Sequence, residues 1–206
     1  MDLSKYDNDG FGLSREAFTI LFEVLEELES PSVLEFGSGI STQFLYNYWE
    51  LSGKRMIIDS LDDSERWKHQ AAVLTPLVEC SYEDFNRMFK DKKIHNNLFK
   101  QKKTPPTTRQ RNCFYDLSNI QLKKYDLVIL DGPNGNGRSL AFLHLIGHLN
   151  EGAIILIDDT VAADGDFKYD FCGRFNSVFD AEELAVHEES NENSFRVYKV
   201  KEVMAT

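Results

Sequence analysis

Apolar residues follow two patterns along the chain, a helical spacing and short continuous runs, and segments of the two kinds alternate. Behind Ser14, a typical N-cap residue, Ala17, Leu21 and Leu28 follow at helical spacing. Short runs that are apolar throughout predict buried strands at residues 32–36, 54–61 and 152–159, and at residues 125–133, where the run is closed by Asp-Gly-Pro. Further helices are predicted at residues 41–49, from about Ser64 to residue 74, and at residues 140–149.

Strands that are apolar on both faces and separated by helices predict a parallel sheet covered on both sides. A weaker strand is predicted at residues 77–81. Residues 183–188 and 194–200 flank a turn-rich segment and predict an antiparallel hairpin. The predicted fold class is therefore α/β, a doubly wound, mostly parallel sheet of seven strands that ends in an antiparallel hairpin. We expect one domain over residues 1–206.

Charge is divided unevenly between one segment and the rest of the chain. The net charge is −11, yet residues 87–111 carry nine Lys or Arg against a single acid, Asp91. That segment is thus +8 and the remainder −19, which argues against non-specific binding of nucleic acid or anionic membrane by the body of the protein. Residues 83–112 exceed the usual loop length and lack a core-forming pattern, so we interpret them as a basic insertion.

The composition favours a globular protein of the cytoplasm. Hydrophobic residues make up 42% of the chain, and no apolar run reaches the length of a membrane span. The first residues, MDLSKYDNDG, lack the basic-then-apolar pattern of a secretory signal. Cys80, Cys113 and Cys172 are widely spaced and odd in number, which favours reduced thiols over a disulfide framework or a zinc site.

The segment VLEFGSGISTQFL, residues 33–45, places an acid and a glycine turn at the end of the first predicted strand. Gly37 and Gly39 remove side chains where a ligand must approach the backbone. In a doubly wound sheet the carboxyl ends of the strands form the ligand-binding edge. Acids follow the later strands as well, at Asp59, Asp62, Asp131, Asp158 and Asp159.

Two kinds of nucleotide cofactor bind at such a strand end, and these residues favour one of them. A dinucleotide favours G-x-G-x-x-G, but Thr42 stands at the third glycine position and Glu35 would oppose the pyrophosphate. Carboxylates accept hydrogen bonds from an ammonium and from ribose hydroxyls, and their field favours a sulfonium. The acids therefore favour S-adenosylmethionine and disfavour an NAD-type oxidoreductase.

Four motifs, taken in order, carry a family resemblance. LEFGSG is similar to the first motif of class I S-adenosylmethionine-dependent methyltransferases, an acid followed by G-x-G. YDLVILDGP and GAIILIDD resemble that family's fourth and fifth strands, and the hairpin resembles its sixth and seventh. A bacterial-type subgroup with a G-S-G-x-S-T turn, an acid-x-x-x-x-Trp and a D-G-P…R segment is the most similar. The resemblance spans most of residues 14–200, apart from the insertion and about 161–182, and implies a Rossmann-like methyltransferase fold.

The resemblance implies a set of cofactor contacts. They are Glu35, Gly37, Gly39, Ser41, Thr42 and Asp62. Glu35 would hold the methionine end through its ammonium or a water. Asp62 would bind the ribose, because Trp67 follows it at the family's spacing, and Asp59 is the alternative. Ser41 stands where many members carry a third glycine, so the shape of the turn departs from the family pattern.

Asp131 and Asp158, at the fourth and fifth strand ends, are the predicted catalytic residues. Methyl transfer requires a positioned acceptor and a destination for its proton, and Asp131 lies where the acceptor should meet the sulfonium. The alternative is that Asp131 only caps the DGPNGNG turn. With Asp159, the two acids also resemble the ligands of metal-dependent catechol-type O-methyltransferases, which would suit Mg²⁺. Asp159 replaces that group's asparagine and Asn134 its lysine base, so a divalent metal is the weaker interpretation.

Several other residues admit two interpretations each. Arg138 would clamp an anionic acceptor or begin a helix as a solvated side chain. His144 and His148 have a spacing that metals use, but an ordinary helix face is favoured because no further ligand is in view. Three aromatic residues either border the pocket or, by default, pack in the core: Tyr82, Phe114 and Tyr115.

The sequence as a whole predicts a methyltransferase that acts on an oxygen of a small molecule or sugar. Asp131-Gly-Pro-Asn134 differs from the Asn/Asp-Pro-Pro-aromatic stretch of enzymes that act on amide or base nitrogens. One alternative is a non-catalytic protein that binds the cofactor or its demethylated product. Another is an RNA methyltransferase that uses the insertion, where Phe85, Phe89 and Phe99 interleave with lysines. The insertion itself is either a solvated loop or a lid that recruits an anionic acceptor, and no membrane partner is expected.

Overall fold

The computed structural model describes residues 1–6, 12–66, 68–81, 87, 112–160, 163–164, 167–168, 171–188 and 194–204. The helices are α1 (Arg15–Glu27), α2 (Ile40–Ser52), α3 (Ala141–His144) and α4 (Phe171–Val178), with 3₁₀ segments at Leu3–Tyr6 and Asn136–Leu140. The strands are β1 (Ser32–Phe36), β2 (Ile57–Asp62), β3 (Val73–Leu74), β4 (Leu77–Glu79), β5 (Cys113–Tyr115), β6 (Tyr125–Leu130), β7 (Leu149–Asp158), β8 (Ala163–Asp164), β9 (Phe167–Lys168), β10 (Phe179–Glu188) and β11 (Ser194–Val203).

Seven of these strands form one sheet in the order β10-β11-β7-β6-β1-β2-β3. Strands β3, β2, β1, β6 and β7 are parallel, whereas β11 is antiparallel to β7 and β10 is antiparallel to β11. The predicted fold class is therefore confirmed, including the C-terminal antiparallel pair. The strand order reverses between β1 and β6, so the carboxyl ends of these two strands border the switch point where ligands bind in such sheets.

The central strands are buried because apolar side chains cover both of their faces. On one face, Leu127 and Ile129 of β6 pack with Phe18 of α1 and Phe44 of α2. On the other face, Val128 belongs to a second cluster with residues of α3 and α4. These two layers explain the uninterrupted apolar runs that the sequence shows in β1, β6 and β7.

The start of α1, which was predicted, and the end of α2 both follow from local chemistry. The Ser14 side chain caps α1 by accepting a hydrogen bond from the Ala17 backbone N–H at 3.3 Å, as predicted. Helix α2 ends at Gly53, whose φ of +65° is the left-handed conformation that glycine adopts most readily. No helix in the described ranges is both long and apolar enough to cross a membrane.

The helix predicted from about Ser64 is wrong. Residues 63–66 and 68–72 form turns instead, and their backbone bonds run partly to side chains of neighbouring segments. The His69 backbone N–H donates to the Ser38 hydroxyl at 2.9 Å, and the Ser64 backbone N–H donates to the Asp62 carboxylate at 2.8 Å. The tertiary bond from His69 to the glycine turn, together with the local bond from Ser64 back to Asp62, thus overrides the helical spacing of this stretch.

The predicted third strand exists, but it does not belong to the main sheet. Strand β4 pairs antiparallel with β5 in a separate two-stranded sheet, and the third strand of the main sheet is the short β3. The helix predicted at residues 140–149 is also wrong in extent. It is the single turn α3 after a 3₁₀ segment, since Gly147 adopts a φ of +82° and β7 begins at Leu149.

Candidate active site

Glu35 is fully buried near the carboxyl end of β1, and only one of its two carboxylate oxygens accepts clear hydrogen bonds. Its Oε2 accepts hydrogen bonds from the hydroxyls of Thr42 and Ser60, each at 2.5 Å. Its Oε1 accepts no hydrogen bond of good geometry from the described residues, although the Ser41 hydroxyl lies near the carboxylate. A buried carboxylate oxygen without a partner is costly, and it marks a place where a ligand donor or a water would be stabilised.

Burial raises the pKa of Glu35 to about 7. The hydroxyls of Ser41, Ser60 and Thr42 favour the ionised form and oppose this rise, while the charge of Asp131 adds to it. A carboxyl group that titrates near neutral pH gains the most from a cationic partner, because the partner restores the ionised form.

The glycine turn lies against the end of β6. The Gly37 φ is +90°, and a Cβ there would lie 2.6 Å from the Gly132 backbone nitrogen, so only glycine fits this close approach. A Cβ on Gly39 would meet nothing within 4 Å, so its backbone borders open space. The hydroxyl of Thr42 accepts from the Gly39 N–H at 3.0 Å while it donates to Glu35. Thr42 thus supports the turn and the acid; its predicted cofactor contact, and that of buried Ser41, stay predictions.

Asp62 holds the same turn from the end of β2. Its Oδ2 accepts from the backbone N–H and the hydroxyl of Ser38 at 2.7 and 2.8 Å. The carboxylate is therefore beside the turn, where the resemblance puts a ribose acid, although it is already bonded to the protein. The alternative, Asp59, lies elsewhere: it accepts from Lys123 and from the Tyr125 hydroxyl at the start of β6.

Asp131, Asp158 and Asp159 meet beyond the ends of β6 and β7. One carboxylate oxygen from each lies within 4.8 Å of the others. Burial, then the charges of Asp131 and Asp159, raise the pKa of Asp158 well above its usual range, and burial raises the pKa of Asp131 against the opposing charge of Arg138. A hydrogen bond between the two side chains favours the ionised form of Asp131 and the neutral form of Asp158. Asp159 has a φ of +58°, a conformation that Asp and Asn tolerate better than most residues.

Arg138 neutralises this acidic cluster from within the protein. Its side chain is only 4% exposed, and its Nη2 lies 3.2 Å from Asp159 Oδ2. Its Nε donates to the Pro133 carbonyl and its Nη1 to the Asp158 carbonyl, at 3.1 and 3.2 Å. The guanidinium also lies over the Phe171 ring, 5.3 Å from its centroid. The interpretation of Arg138 as a solvated side chain is therefore wrong.

The three carboxylates do not fit a divalent metal well. A hard cation would need ionised oxygens that are free to coordinate it. Here Asp159 is paired with Arg138, and the Asp131 and Asp158 side chains are hydrogen-bonded to each other. A fixed guanidinium thus supplies the positive charge that a metal would otherwise bring to these acids.

Two buried polar side chains near the site were not predicted. The sequence favoured simple core packing for Tyr115 and contained no clear signal for Asn136. Tyr115, on β5, has a buried hydroxyl without a hydrogen-bond partner in the described structure. Asn136 is fully buried and donates to the Asn112 side chain at 2.6 Å. The only sequence signal for this packing was the second glycine of NGNG: a Cβ on Gly137 would lie 2.0 Å from the Cys113 carbonyl oxygen, so that glycine lets the loop reach β5.

The remaining candidates are either engaged elsewhere or lie outside the described residues. His144 stacks on Phe114 with ring centroids 5.3 Å apart, and His148 Nδ1 contacts the Lys123 carbonyl at 2.9 Å. Asn134, at the position of the catechol-type lysine, is exposed. Trp67, Tyr82 and the insertion aromatics Phe85, Phe89 and Phe99 lie outside the described residues, as does almost all of the insertion at 83–112.

Comparisons with known proteins add little to this geometry. No family model and no curated protein matches the sequence. Among solved structures, the chain is similar to precorrin-6y C5,15-methyltransferase from Geobacter metallireducens GS-15 (10% identity, 95% of this chain and 97% of that one, TM-score 0.48). It is also similar to Aeropyrum pernix fibrillarin with natively bound S-adenosyl-L-methionine (11%, 88% and 74%, TM-score 0.45) and to magnesium protoporphyrin IX methyltransferase from Synechocystis PCC 6803 with bound SAM (12%, 91% and 79%, TM-score 0.44). At these scores and identities, the likenesses assign neither an activity nor a residue role to this chain.

Proposed function

We propose that this protein is an S-adenosylmethionine-dependent methyltransferase that methylates an oxygen of a small molecule or sugar. The observation that carries the proposal is the unpartnered Oε1 of Glu35, buried beside a glycine turn at the switch point of the sheet. A carboxylate at this position disfavours a pyrophosphate and favours a cationic group.

The residues at the turn fit the amino-acid end and the ribose of this cofactor. Glu35 would accept from the ammonium, Gly39 would let the ligand approach the backbone, and Asp62 would face the ribose hydroxyls. Ser41 and Thr42 would support this end of the site. When bound, S-adenosylmethionine supplies a methyl group made electrophilic by the adjoining sulfonium.

The acids beyond β6 and β7 are suited to handle the proton of an acceptor hydroxyl. Asp131 is partly exposed and would accept a hydrogen bond from that hydroxyl. The hydrogen bond with Asp158 would orient the Asp131 carboxylate, and Arg138 stabilises the negative charge of the group. Because the Arg138 guanidinium already balances part of this negative charge, the proposed reaction needs no divalent metal, and a chelator should leave the activity unchanged.

Calorimetry with S-adenosylhomocysteine and with NADH tests the cofactor. We expect wild-type protein to bind the former and not the latter. Glu35→Gln should weaken S-adenosylhomocysteine about 10- to 100-fold, the loss of one buried hydrogen bond to a charged group. Asp126→Asn, at the opposite end of the sheet, is the matched control and should leave this affinity unchanged. Tight NADH binding without S-adenosylhomocysteine binding would overturn the proposal.

A methyl-transfer screen with tritiated S-adenosylmethionine tests the reaction. Pools of sugars, small hydroxyl compounds and RNA serve as acceptors, each with and without chelator. Asp131→Asn should lower transfer by about 10²- to 10⁴-fold while S-adenosylhomocysteine still binds. Cofactor binding without transfer to any pool would favour the non-catalytic alternative. Transfer to RNA alone would favour the role of the basic insertion.

A further inference from the structure

Tyr115 combines a fixed ring with an unsatisfied hydroxyl. The residue is 3% exposed, and its ring stacks on Phe36 at the end of β1, with centroids 5.7 Å apart and planes at 21°. Phe114 packs against it edge-on at 5.3 Å. The hydroxyl has no hydrogen-bond partner in the described part of the chain. A buried, immobilised hydroxyl with no partner carries a desolvation cost that folding alone does not explain.

The hydroxyl points to the junction of the two segments that form the candidate site. The position that a Cβ on Gly132 would take lies 2.4 Å from the Tyr115 oxygen and 2.8 Å from the Gly37 Cα. The glycine turn of β1, the end of β6 and the hydroxyl therefore meet around one point. Glycine at 132 leaves this point free of a side chain.

The charges around the hydroxyl are mostly negative. Asp62, Asp63 and Asp131 act on it, and Arg138 is the one opposing charge among its main influences. Burial, followed by the charges of Asp63 and Asp62, raises the pKa of Tyr115 well above its usual range. The hydroxyl therefore stays protonated and can both donate and accept a hydrogen bond.

We infer that Tyr115 is a ligand-contacting residue whose hydroxyl bonds the amino-acid end of the cofactor. An amino-acid group offers an ammonium donor and a carboxylate acceptor, and a phenolic hydroxyl can bond either. The negative surroundings favour the ammonium. Glu35 lies on the face of β1 that meets α1 and α2, and Tyr115 lies on the face that carries Phe36. Both leave an unsatisfied polar atom near the glycine turn, and we assign the two atoms to the same ligand group. The inference rests on the proposed function, since it assumes that cofactor.

Two tyrosine-to-phenylalanine variants separate a ligand contact from a structural role. Tyr115→Phe removes the unpartnered hydroxyl and keeps the stacked ring. Tyr125→Phe removes a hydroxyl that donates to Asp59 at 2.9 Å, at the other end of the sheet. We expect Tyr115→Phe to keep or raise the Tm of the protein without ligand, because no hydrogen bond is lost. Tyr125→Phe should lower the Tm and leave ligand affinity unchanged.

Two probes locate the contact on the ligand. S-adenosylhomocysteine carries the amino-acid end, and 5′-methylthioadenosine lacks it while keeping the adenosine and the thioether. Tyr115→Phe should weaken the former by about two- to tenfold, the range for one neutral hydrogen bond, and leave the latter unchanged.

Each of the other possible binding results would contradict either the inference or the proposed function. If wild-type protein binds S-adenosylhomocysteine and Tyr115→Phe binds it equally well, the inference is wrong while the proposed function stands. An equal loss for both probes would place the hydroxyl on the adenosine and also overturn the inference. If wild-type protein binds neither probe, the proposed function fails and the inference fails with it.

Discussion

Both ends of the central sheet carry carboxylates, but the two ends differ in how completely their buried polar atoms are hydrogen-bonded. At the amino ends, Asp126 accepts from Ser32 on one oxygen and from Asn150 on the other, and Asp59 accepts from Lys123 on both. At the carboxyl ends, buried polar atoms are left without partners in the described structure. They are Glu35 Oε1, Tyr115 Oη, Asn136 Oδ1 and Thr160 Oγ1.

This difference separates structural acids from candidate functional ones. At the amino ends each oxygen of Asp126 and Asp59 is matched by a donor, so these acids tie neighbouring segments together. Asp62, at the carboxyl end of β2, is matched as well, so the contrast concerns Glu35 and not every acid at that end. Unmatched atoms at the carboxyl ends cost stability, and a protein keeps such groups where a ligand can satisfy them. The charge state follows the same division, because burial raises the pKa values of Glu35, Asp131 and Asp158 at the carboxyl ends.

Removing the internal cation should have the largest effect on stability. Arg138→Met leaves Asp159 unpaired beside Asp131 and the buried Asp158, and we expect a loss of about 3–5 kcal/mol in the free energy of unfolding. Urea denaturation at pH 7.5 measures it. Arg138→Lys is the control that keeps the charge but not the forked hydrogen bonds, and it should lose less.

A second substitution checks the cause of that loss. Adding Asp159→Asn to Arg138→Met removes the unpaired charge and should recover part of the stability. A loss below about 1 kcal/mol in Arg138→Met would mean that the acidic cluster is solvated well enough to need no internal cation.

Glu35 should make the stability depend on pH. Its pKa is about 7 in the folded protein and ordinary in the unfolded chain, so the folded state binds the proton more tightly. That stabilisation is fully present below the unfolded pKa of about 4.5 and is lost as pH rises to about 7. Over this range we expect Glu35 alone to remove about 2–4 kcal/mol.

Glu35→Gln isolates this contribution, since Asp131 and Asp158 shift stability in the same direction. Denaturation curves at pH 5, 6, 7 and 8 should show a smaller decline in the variant than in the wild-type protein. Parallel declines would contradict the raised pKa of Glu35 and weaken the case for its unmatched oxygen.

The sequence predicted the parts of the molecule that depend on local patterns. Apolar runs located β1, β6 and β7, and the acid and glycine spacing located Glu35, Gly37 and Asp131 at one edge of the sheet. It did not predict the turns at 63–66 and 68–72, because these depend in part on the bond from His69 to Ser38, which is distant in the sequence. Nor could it bring Tyr115 to the site, since β5 reaches that point only by pairing with β4 and packing against the loop after β6.

Removing the Lys123–Asp59 pair at the amino end should have the smallest effect on stability. It tests whether the position of an ion pair or its charge alone determines how much stability is lost. Like Arg138, Lys123 meets a carboxylate, here at 2.7 Å, but its side chain is 49% exposed. Water already screens this pair, so Lys123→Met should lower the free energy of unfolding by about 0–1 kcal/mol. Asp59 keeps its bond from the Tyr125 hydroxyl, and affinity for S-adenosylhomocysteine should not change. Denaturation and calorimetry measure both quantities. A loss as large as that of Arg138→Met would show that burial is not what distinguishes the two ends of the sheet.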